Sequence, residues 1–337
     1  MLYNRISSKE LKERLQLSTE PRTTISFYKY HQIDDPPKFR NDLYLLFDQL
    51  GVMGRIYVAH EGVNAQLSVP AEKAELFKSQ LYQIDFLKGI RLNTAIDDNG
   101  KSFFKLKILV RKKIVADGLS DSTFDVTDSG KHLNAKEFNQ LTDHPDTIVV
   151  DMRNHYESEV GRFKNALCPD ADTFREELKI AEGLLHHQKD KNIVMYCTGG
   201  IRCEKASAWM KHIGLKNIFQ LEGGIIEYTR QVKELGLENK FIGKNFVFDE
   251  RLGERISKDI ISTCHQCGKP CDNHTNCKND GCHLLFIQCE ACAKQFNSCC
   301  SAECKEIISL PADKQKEIRK GINKGIQVFK KGRFAVR

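Results

Sequence analysis

The sequence predicts a multidomain α/β protein in three parts: an α+β unit, a parallel-sheet α/β domain, and a small cysteine-rich segment that runs into a basic tail. Three observations lead there. Residues 22–119 carry strand and helix periodicities in the order βαββαβ. From 121 to about 236, short apolar runs alternate with helical stretches, the pattern of a parallel sheet covered on both faces. Ten of the thirteen cysteines fall between Cys264 and Cys304. The parts read as 1–120, 121–240, 241–310 and a tail of 311–337.

In the first unit, Thr23 to Tyr30 is rich in β-formers. Pro36 and Pro37 open a helix that carries Leu43, Leu46, Phe47 and Leu50 on one face, and Gly51 stops it. Arg55–Val58 and Val63–Val69 alternate as strands, and His60-Glu61-Gly62 links them as a hairpin. Ala71–Tyr82 reads as a second helix. Phe103–Val110 reads as the last strand, with Phe104, Leu106, Ile108 and Val110 on one face. That order is ferredoxin-like. In the second unit, Thr147–Val150, Ile193–Tyr196 and Ile218–Leu221 are buried strands, with helices at Phe174–His187 and Glu204–Ile213. Function in such sheets sits at the carboxyl ends of strands, here Asp151, Cys197 and Glu222-Gly223-Gly224. After Lys240 neither periodicity persists.

The 337 residues are 40% hydrophobic and 29% charged, which excludes a wholly disordered chain. No apolar run approaches the roughly 20 residues of a membrane helix, and the first residues lack the core of a signal peptide. A cytoplasmic protein is expected. From Pro311 onward nine Lys or Arg face two Asp or Glu, so the tail holds the entire excess of +7. Such a tail suits a polyanion such as RNA, and equally a solvated helix end.

Tyr196-Cys197-Thr198-Gly199-Gly200-Ile201-Arg202-Cys203 runs from a buried strand into a helix. Two glycines let the backbone curl so that successive N–H groups turn inward. The helix start and Arg202 add positive potential at the same point. Each factor favours a thiolate, so Cys197 is the candidate nucleophile and Thr198, Gly199, Gly200, Ile201 and Arg202 form its cradle. The same cradle suits a persulfide or another small anion. Cys203 either resolves an oxidised Cys197 or packs. Cys168, before Pro169, reads as structural.

In a reducing compartment the cysteine cluster reads as metal-binding. The candidate ligands are Cys264, Cys267, Cys271, Cys277, Cys282, Cys289, Cys292, Cys299, Cys300 and Cys304, with His265, His274 and His283 among them. Cys264/Cys267 and Cys289/Cys292 have the C-x-x-C spacing of zinc knuckles. Structural zinc is expected, an iron–sulfur cluster is the alternative, and the partition among ligands stays open. Phe103, Lys105 and Lys107 alternate on the polar face of their strand, and Arg55 and Tyr57 share that face. With Lys330, Lys331 and Arg333 in the tail, they are the candidate RNA contacts.

Asp151-Met152-Arg153, Glu157, Gly161-Arg162-Phe163, Ala166, the Cys197 loop and Leu221-Glu222-Gly223-Gly224 together resemble a rhodanese domain. Gly161-Arg162-Phe163 stands where that family has Gly-His-Ile. The resemblance makes Asp151, Arg153 and Glu157 motif residues, and the six-residue loop implies sulfur chemistry, since related phosphatases use a loop one residue longer. Taken with His60-Glu61-Gly62-Val63-Asn64-Ala65 and the cysteine-rich end, nearly the whole chain resembles the rhodanese-like tRNA uridine hydroxylases. That likeness implies an acylphosphatase-like (ferredoxin-like) first domain. It also implies oxygen-dependent hydroxylation of the wobble uridine to 5-hydroxyuridine, with Cys197 as the nucleophile, molecular oxygen as co-substrate and the tRNA anticodon loop as partner. The reductant and oligomeric state stay open. A sulfurtransferase fed by a sulfur-donor protein, and a non-enzymatic RNA-binding protein, are the alternatives.

Overall fold

The computed structural model describes residues 6–119, 123–321 and 327–329. A short helix α1 (Ser8–Leu17) precedes the first sheet. Strand β1 (Arg22–Tyr30) leads to α2 (Pro36–Gln49), where Asp35 caps the helix by accepting from the Lys38 N–H at 2.9 Å. The prolines sit in the first turn, where their missing N–H costs nothing. Strands β2 (Met53–Ala59) and β3 (Gly62–Pro70) turn over His60-Glu61, with Ala59 paired to Gly62. Helix α3 (Ala74–Leu81), β4 (Asn93–Thr94) and β5 (Leu106–Val110) complete the unit.

The sheet order is β4-β1-β3-β2-β5. The ferredoxin-like fold is present, but the run expected to be its last strand is not. That place, antiparallel to β1, belongs to the two-residue β4. The apolar run forms β5, an added fifth strand parallel to β2 on the other edge. Asn93-Thr94 is too short and too polar to show an alternating pattern. One sheet face packs Ile25, Phe27, Ile56, Ala65, Leu67 and Ile108 against Leu43, Phe47, Phe77 and Leu81 of the helices. The other face carries a cross-strand row, Asn93–Ser26–Gln66–Arg55–Lys107, with Tyr28, Asn64 and Tyr57 beside it.

The second unit runs β6 (Lys131–Leu133), α4 (Ala135–Thr142), β7 (Thr147–Asp151), α5 (His155–Val160), β8 (Gly161–Phe163), α6 (Phe174–Leu185), β9 (Asn192–Tyr196), α7 (Ile201–His212), β10 (Ile218–Leu221) and α8 (Gly224–Leu235). Its sheet, β6-β10-β9-β7, is parallel throughout. Helices α6 and α7 bury Leu178, Ala181, Ala206 and Met210 on one face, and α4 and α8 bury Phe138, Ile225 and Tyr228 on the other. The carboxyl ends of β7, β9 and β10 therefore open at one edge of the unit.

Regular structure continues past Lys240. Strand β11 (Phe241–Asn245) pairs antiparallel with β8 and with β12 (Glu254–Arg255), extending the second unit. A hairpin of β13 (His274–Asn276) and β14 (Leu285–Ile287) and helices α9 (Glu290–Phe296), α10 (Ala302–Ser309) and α11 (Ala312–Arg319) follow. These elements are too short for a sequence period to register. Among the described residues no helix is long and apolar enough to cross a membrane.

Polar contacts join the first two units. The Lys205 ammonium, almost fully buried on α7, donates to Glu61 and to Asp117, at 2.5 Å each. Tyr28 donates to Glu204 at 3.0 Å and Tyr30 to the Ile201 carbonyl at 3.3 Å. Arg91 pairs with Glu222 and, at 3.2 Å, with Glu227. The polar face of the first sheet is thereby held over the strand ends of the second.

Candidate active site and metal centres

The motif residues at β7 build the frame. Arg153 and Asp151 are fully buried and form a two-pronged pair at 2.8 and 2.6 Å. The guanidinium also donates to the Gly161 carbonyl at 2.7 Å, and the Tyr196 hydroxyl to Asp151 at 2.6 Å. They tie β7, β8 and β9 together and so fix where the loop after Tyr196 leaves the sheet. Ile225 and Ile226, in the first turn of α8, donate their N–H groups to the carbonyls of Cys197 and Thr198 at 3.0 and 3.3 Å. Gly224 takes φ +64°, and a Cβ there would lie 2.4 Å from the Cys197 carbonyl. Gly200, at φ +102°, leaves 2.7 Å between its imagined Cβ and the Tyr28 hydroxyl. Both positions need glycine.

The Gly200 N–H donates to Cys197 Sγ at 3.1 Å. Burial opposes ionisation of this sulfur. The Cys203 thiol, the Arg202 guanidinium and the N–H groups of Cys203 and Arg202 outweigh it, bringing the Cys197 thiol from an ordinary 9.0 down to about 6. Cys203 is the complement: burial and then the Cys197 charge push it well up, so it stays a thiol and donates. Arg202 is less free than a bare loop cation. Its guanidinium grips Glu157 at 2.6 and 2.9 Å, and its head is steered by Thr198 at 3.3 Å. Glu157 thus orients the charge that stabilises the thiolate. Glu177, on α6, is fully buried, and neither carboxylate oxygen has a hydrogen-bond partner among the described residues. Burial raises its pKa well above the carboxylate range, with Arg202 pulling the other way.

Although residue 197 is only 1% exposed, it borders a cavity of about 360 Å³ between the first two units. Cys197, Thr198, Gly199, Ile201 and Arg202 line one side, and Tyr28, Arg55, Tyr57, Asn64, Gln66 and Asn93 the other. That volume suits a nucleobase-sized ligand. A neighbouring cavity of about 520 Å³ shares Arg55 and Phe248 and adds Lys12, Lys105 and Lys107.

The cysteines sort into two groups of four. Cys264, Cys267, Cys289 and Cys292 form one, and Cys277, Cys282, Cys300 and Cys304 the other, with all sulfurs of a group within 4.8 Å of one another. Either group can hold a metal ion. The S···S separations Cys267–Cys289, Cys282–Cys300 and Cys300–Cys304 are each 3.7 Å. A tetrahedron with metal–sulfur bonds of about 2.3 Å has edges of about 3.8 Å. The N–H groups of Cys289 and Cys300 donate to Cys264 and Cys277 Sγ, at 3.4 Å in both.

Residues 22–114 match the UPF0176 acylphosphatase like domain, 134–231 the rhodanese-like domain and 242–305 the rhodanase C-terminal domain. The tRNA uridine(34) hydroxylase of Photorhabdus laumondii is 58% identical over 334 residues, 99% of this chain and 95% of that one. The protein of the same name from Yersinia pestis is likewise 58% identical, over 99% of this chain and 94% of the relative. This chain belongs to the tRNA uridine(34) hydroxylase family. A rhodanese-related protein of Thermoplasma volcanium also shares 22% identity over 33% of this chain and 97% of its own, with a TM-score of 0.26.

Within this family member, the structure brings most of the sequence-predicted residues to two places. Cys197, Thr198, Gly199, Ile201 and Arg202 line the cavity, Glu157 is buried behind Arg202 and Cys203 is buried in the first turn of α7, and Asp151 and Arg153 form the buried frame at β7. Arg55 and Tyr57 also face the cavity, and Lys105 and Lys107 line its neighbour. Phe103 lines that neighbouring cavity too, although it is 7% exposed and precedes β5, which begins only at Leu106 rather than at Phe103. Lys330, Lys331 and Arg333 lie outside the described residues. Cys271 and Cys299 stay outside both four-sulfur groups, as do all three histidines. His265 pairs with Glu159 at 2.9 Å and stacks on Phe329, His274 packs edge-on to Phe246, and His283 lines the second cavity. Sequence reasoning missed Asn93, Gln66 and Glu177. Gln66 alternates with buried residues on β3, which was a readable signal. Asn93 and Glu177 gave none.

Proposed function

We propose that this protein hydroxylates carbon 5 of the wobble uridine of tRNA to 5-hydroxyuridine, with Cys197 acting on the base and molecular oxygen as co-substrate. One observation carries the reading: a cysteine held ionised near neutral pH borders a base-sized cavity whose opposite wall is a sheet face of amides, tyrosines and a guanidinium. An anticodon loop presents its bases unpaired, so no duplex has to be opened. Arg55, Lys105 and Lys107 supply cations for the flanking phosphates. Burial, with Lys105, Arg55 and Arg111 nearby, already lowers the pKa of Lys107, so a bound polyanion relieves that crowding.

The thiolate adds to carbon 6 of the uracil, and the electron pair moves to carbon 5, which becomes electron-rich enough to meet oxygen. When the sulfur leaves carbon 6, a proton leaves carbon 5 and the ring is restored. Overall, uridine, one oxygen molecule, two electrons and two protons give 5-hydroxyuridine and water, with the electrons drawn from a cellular reductant. Structural zinc is the metal that best suits the two four-cysteine groups, because their 3.7 Å sulfur edges fit a single tetrahedral ion. A cluster that spreads its thiolates over several irons needs them farther apart. Zinc there would cross-link a segment with little core of its own. A tRNA substrate implies a cytoplasmic site of action.

The test is nucleoside mass spectrometry of tRNA from cells with and without the protein, grown with and without air. 5-Hydroxyuridine that disappears on deletion, and on Cys197→Ala with tRNA binding retained, is the expected result. Unchanged 5-hydroxyuridine with loss of thiolated nucleosides, and a stable Cys197 persulfide, would replace this reading with sulfur transfer from a donor protein.

A further inference from the structure

We infer that Asn93 is a specificity residue that reads the Watson–Crick edge of the target base, selecting uracil over cytosine, with Gln66 as its neighbour in the reading. The inference rests on the proposed uridine chemistry of the same cavity. Asn93 is 5% exposed and borders the cavity that holds Cys197. Its amide nitrogen donates to the Gly199 carbonyl of the cysteine loop at 3.4 Å. That carbonyl accepts only, so the nitrogen must face it and the amide oxygen must turn elsewhere. This oxygen has no hydrogen-bond partner among the described residues, and with under 1 Å² of accessible surface it meets a base only once the side chain turns toward the cavity. A buried acceptor left without a donor costs free energy unless a ligand supplies one.

The chemistry of the missing donor is specific. Along its Watson–Crick edge uracil presents carbonyl, N–H, carbonyl, whereas cytosine presents carbonyl, bare ring nitrogen, amino group. An acceptor flanked by donors therefore fits uracil at N3–H and meets a lone pair in cytosine. Gln66 supplies a flanking donor. It lies in the same cross-strand row, Asn93 pairing with Ser26 and Ser26 with Gln66, and it borders the same cavity.

The experiment uses the full-length protein and synthetic anticodon stem–loops carrying uridine, cytidine or 3-methyluridine at position 34. Product from uridine is measured for wild type, Asn93→Ala and Gln66→Leu, and the dissociation constant of each stem–loop by fluorescence anisotropy. Wild type should bind the uridine form roughly tenfold or more tightly than the other two, the worth of one buried hydrogen bond. Asn93→Ala should bring the three affinities within about twofold and lower kcat/KM for uridine at least tenfold. Its Cys197 should still be alkylated at the wild-type rate, which separates lost reading from lost fold. Gln66→Leu should weaken uridine binding and keep the penalty against 3-methyluridine. Wild-type product with Asn93→Ala still rejecting cytidine and 3-methyluridine would overturn the inference alone. Cellular tRNA whose 5-hydroxyuridine is unchanged when the protein is deleted would instead sink the hydroxylation on which it rests.

Discussion

The ionisation of Cys197 can be read directly from its alkylation rate. At pH 7 a thiol with a pKa of about 6 is about 90% thiolate, against about 1% for one left at 9.0. Nucleophilicity falls with pKa, and three units at a Brønsted slope near 0.45 cost roughly 20-fold. The two effects leave a rate about fourfold above an ordinary thiol at pH 7. The level is thus a modest signal and the profile is the sharp one. The rate should be half-maximal near pH 6 and flat above pH 7. The assay is iodoacetamide labelling from pH 4.5 to 9.5, followed by peptide mass spectrometry so that the other twelve cysteines do not contribute. Arg202→Met should move the midpoint up, because a positive neighbour is gone, and Glu157→Gln should move it less, because the cation remains. A midpoint between 8 and 9 in wild type, or no shift in Arg202→Met, would refute the account of how the loop charges its sulfur.

Gly200→Ala should cost about 1–3 kcal/mol and slow the same labelling, since the added carbon meets Tyr28 in a left-handed backbone; urea titration checks the first and alkylation the second. Arg153→Met strands the buried Asp151 carboxylate and should cost about 3–5 kcal/mol, seen as a lower urea midpoint. Native mass spectrometry should find two zinc ions on the full chain, one on Cys289→Ser, and two on Cys271→Ser or Cys299→Ser. Lys205→Met leaves Glu61 and Asp117 facing each other and should raise the proteolysis rate between the first two units.

The sequence was most legible where one element sufficed. The strands of both units carry strong alternating or apolar runs, and the Cys197 loop holds its glycines, its nucleophile and its cation within six residues. It was least legible where partners are distant. Arg202 reads as a free positive charge until Glu157, 45 residues away, is seen to engage it. Asn93 gains its meaning only from Gly199, 106 residues on. The strand expected over Phe103–Val110 was drawn too long because a two-residue alternation was carried upstream of Leu106, where the chain is not yet a strand. The sorting of ten cysteines into two fours depends on how loops fold back, which spacing leaves open.

Lys205 stands one helical turn past the start of α7, the helix that begins at the reactive loop, and it grips two acids of the preceding portion of the polypeptide. The nucleophile and the bolt that seats its discriminating wall are therefore one rigid piece. A fragment lacking the first hundred residues would keep a reactive sulfur but have no means of choosing what it attacks. Selectivity in this molecule is a property of the assembly of its halves, and whatever loosens that joint should produce an indiscriminate thiol before it produces an inert one.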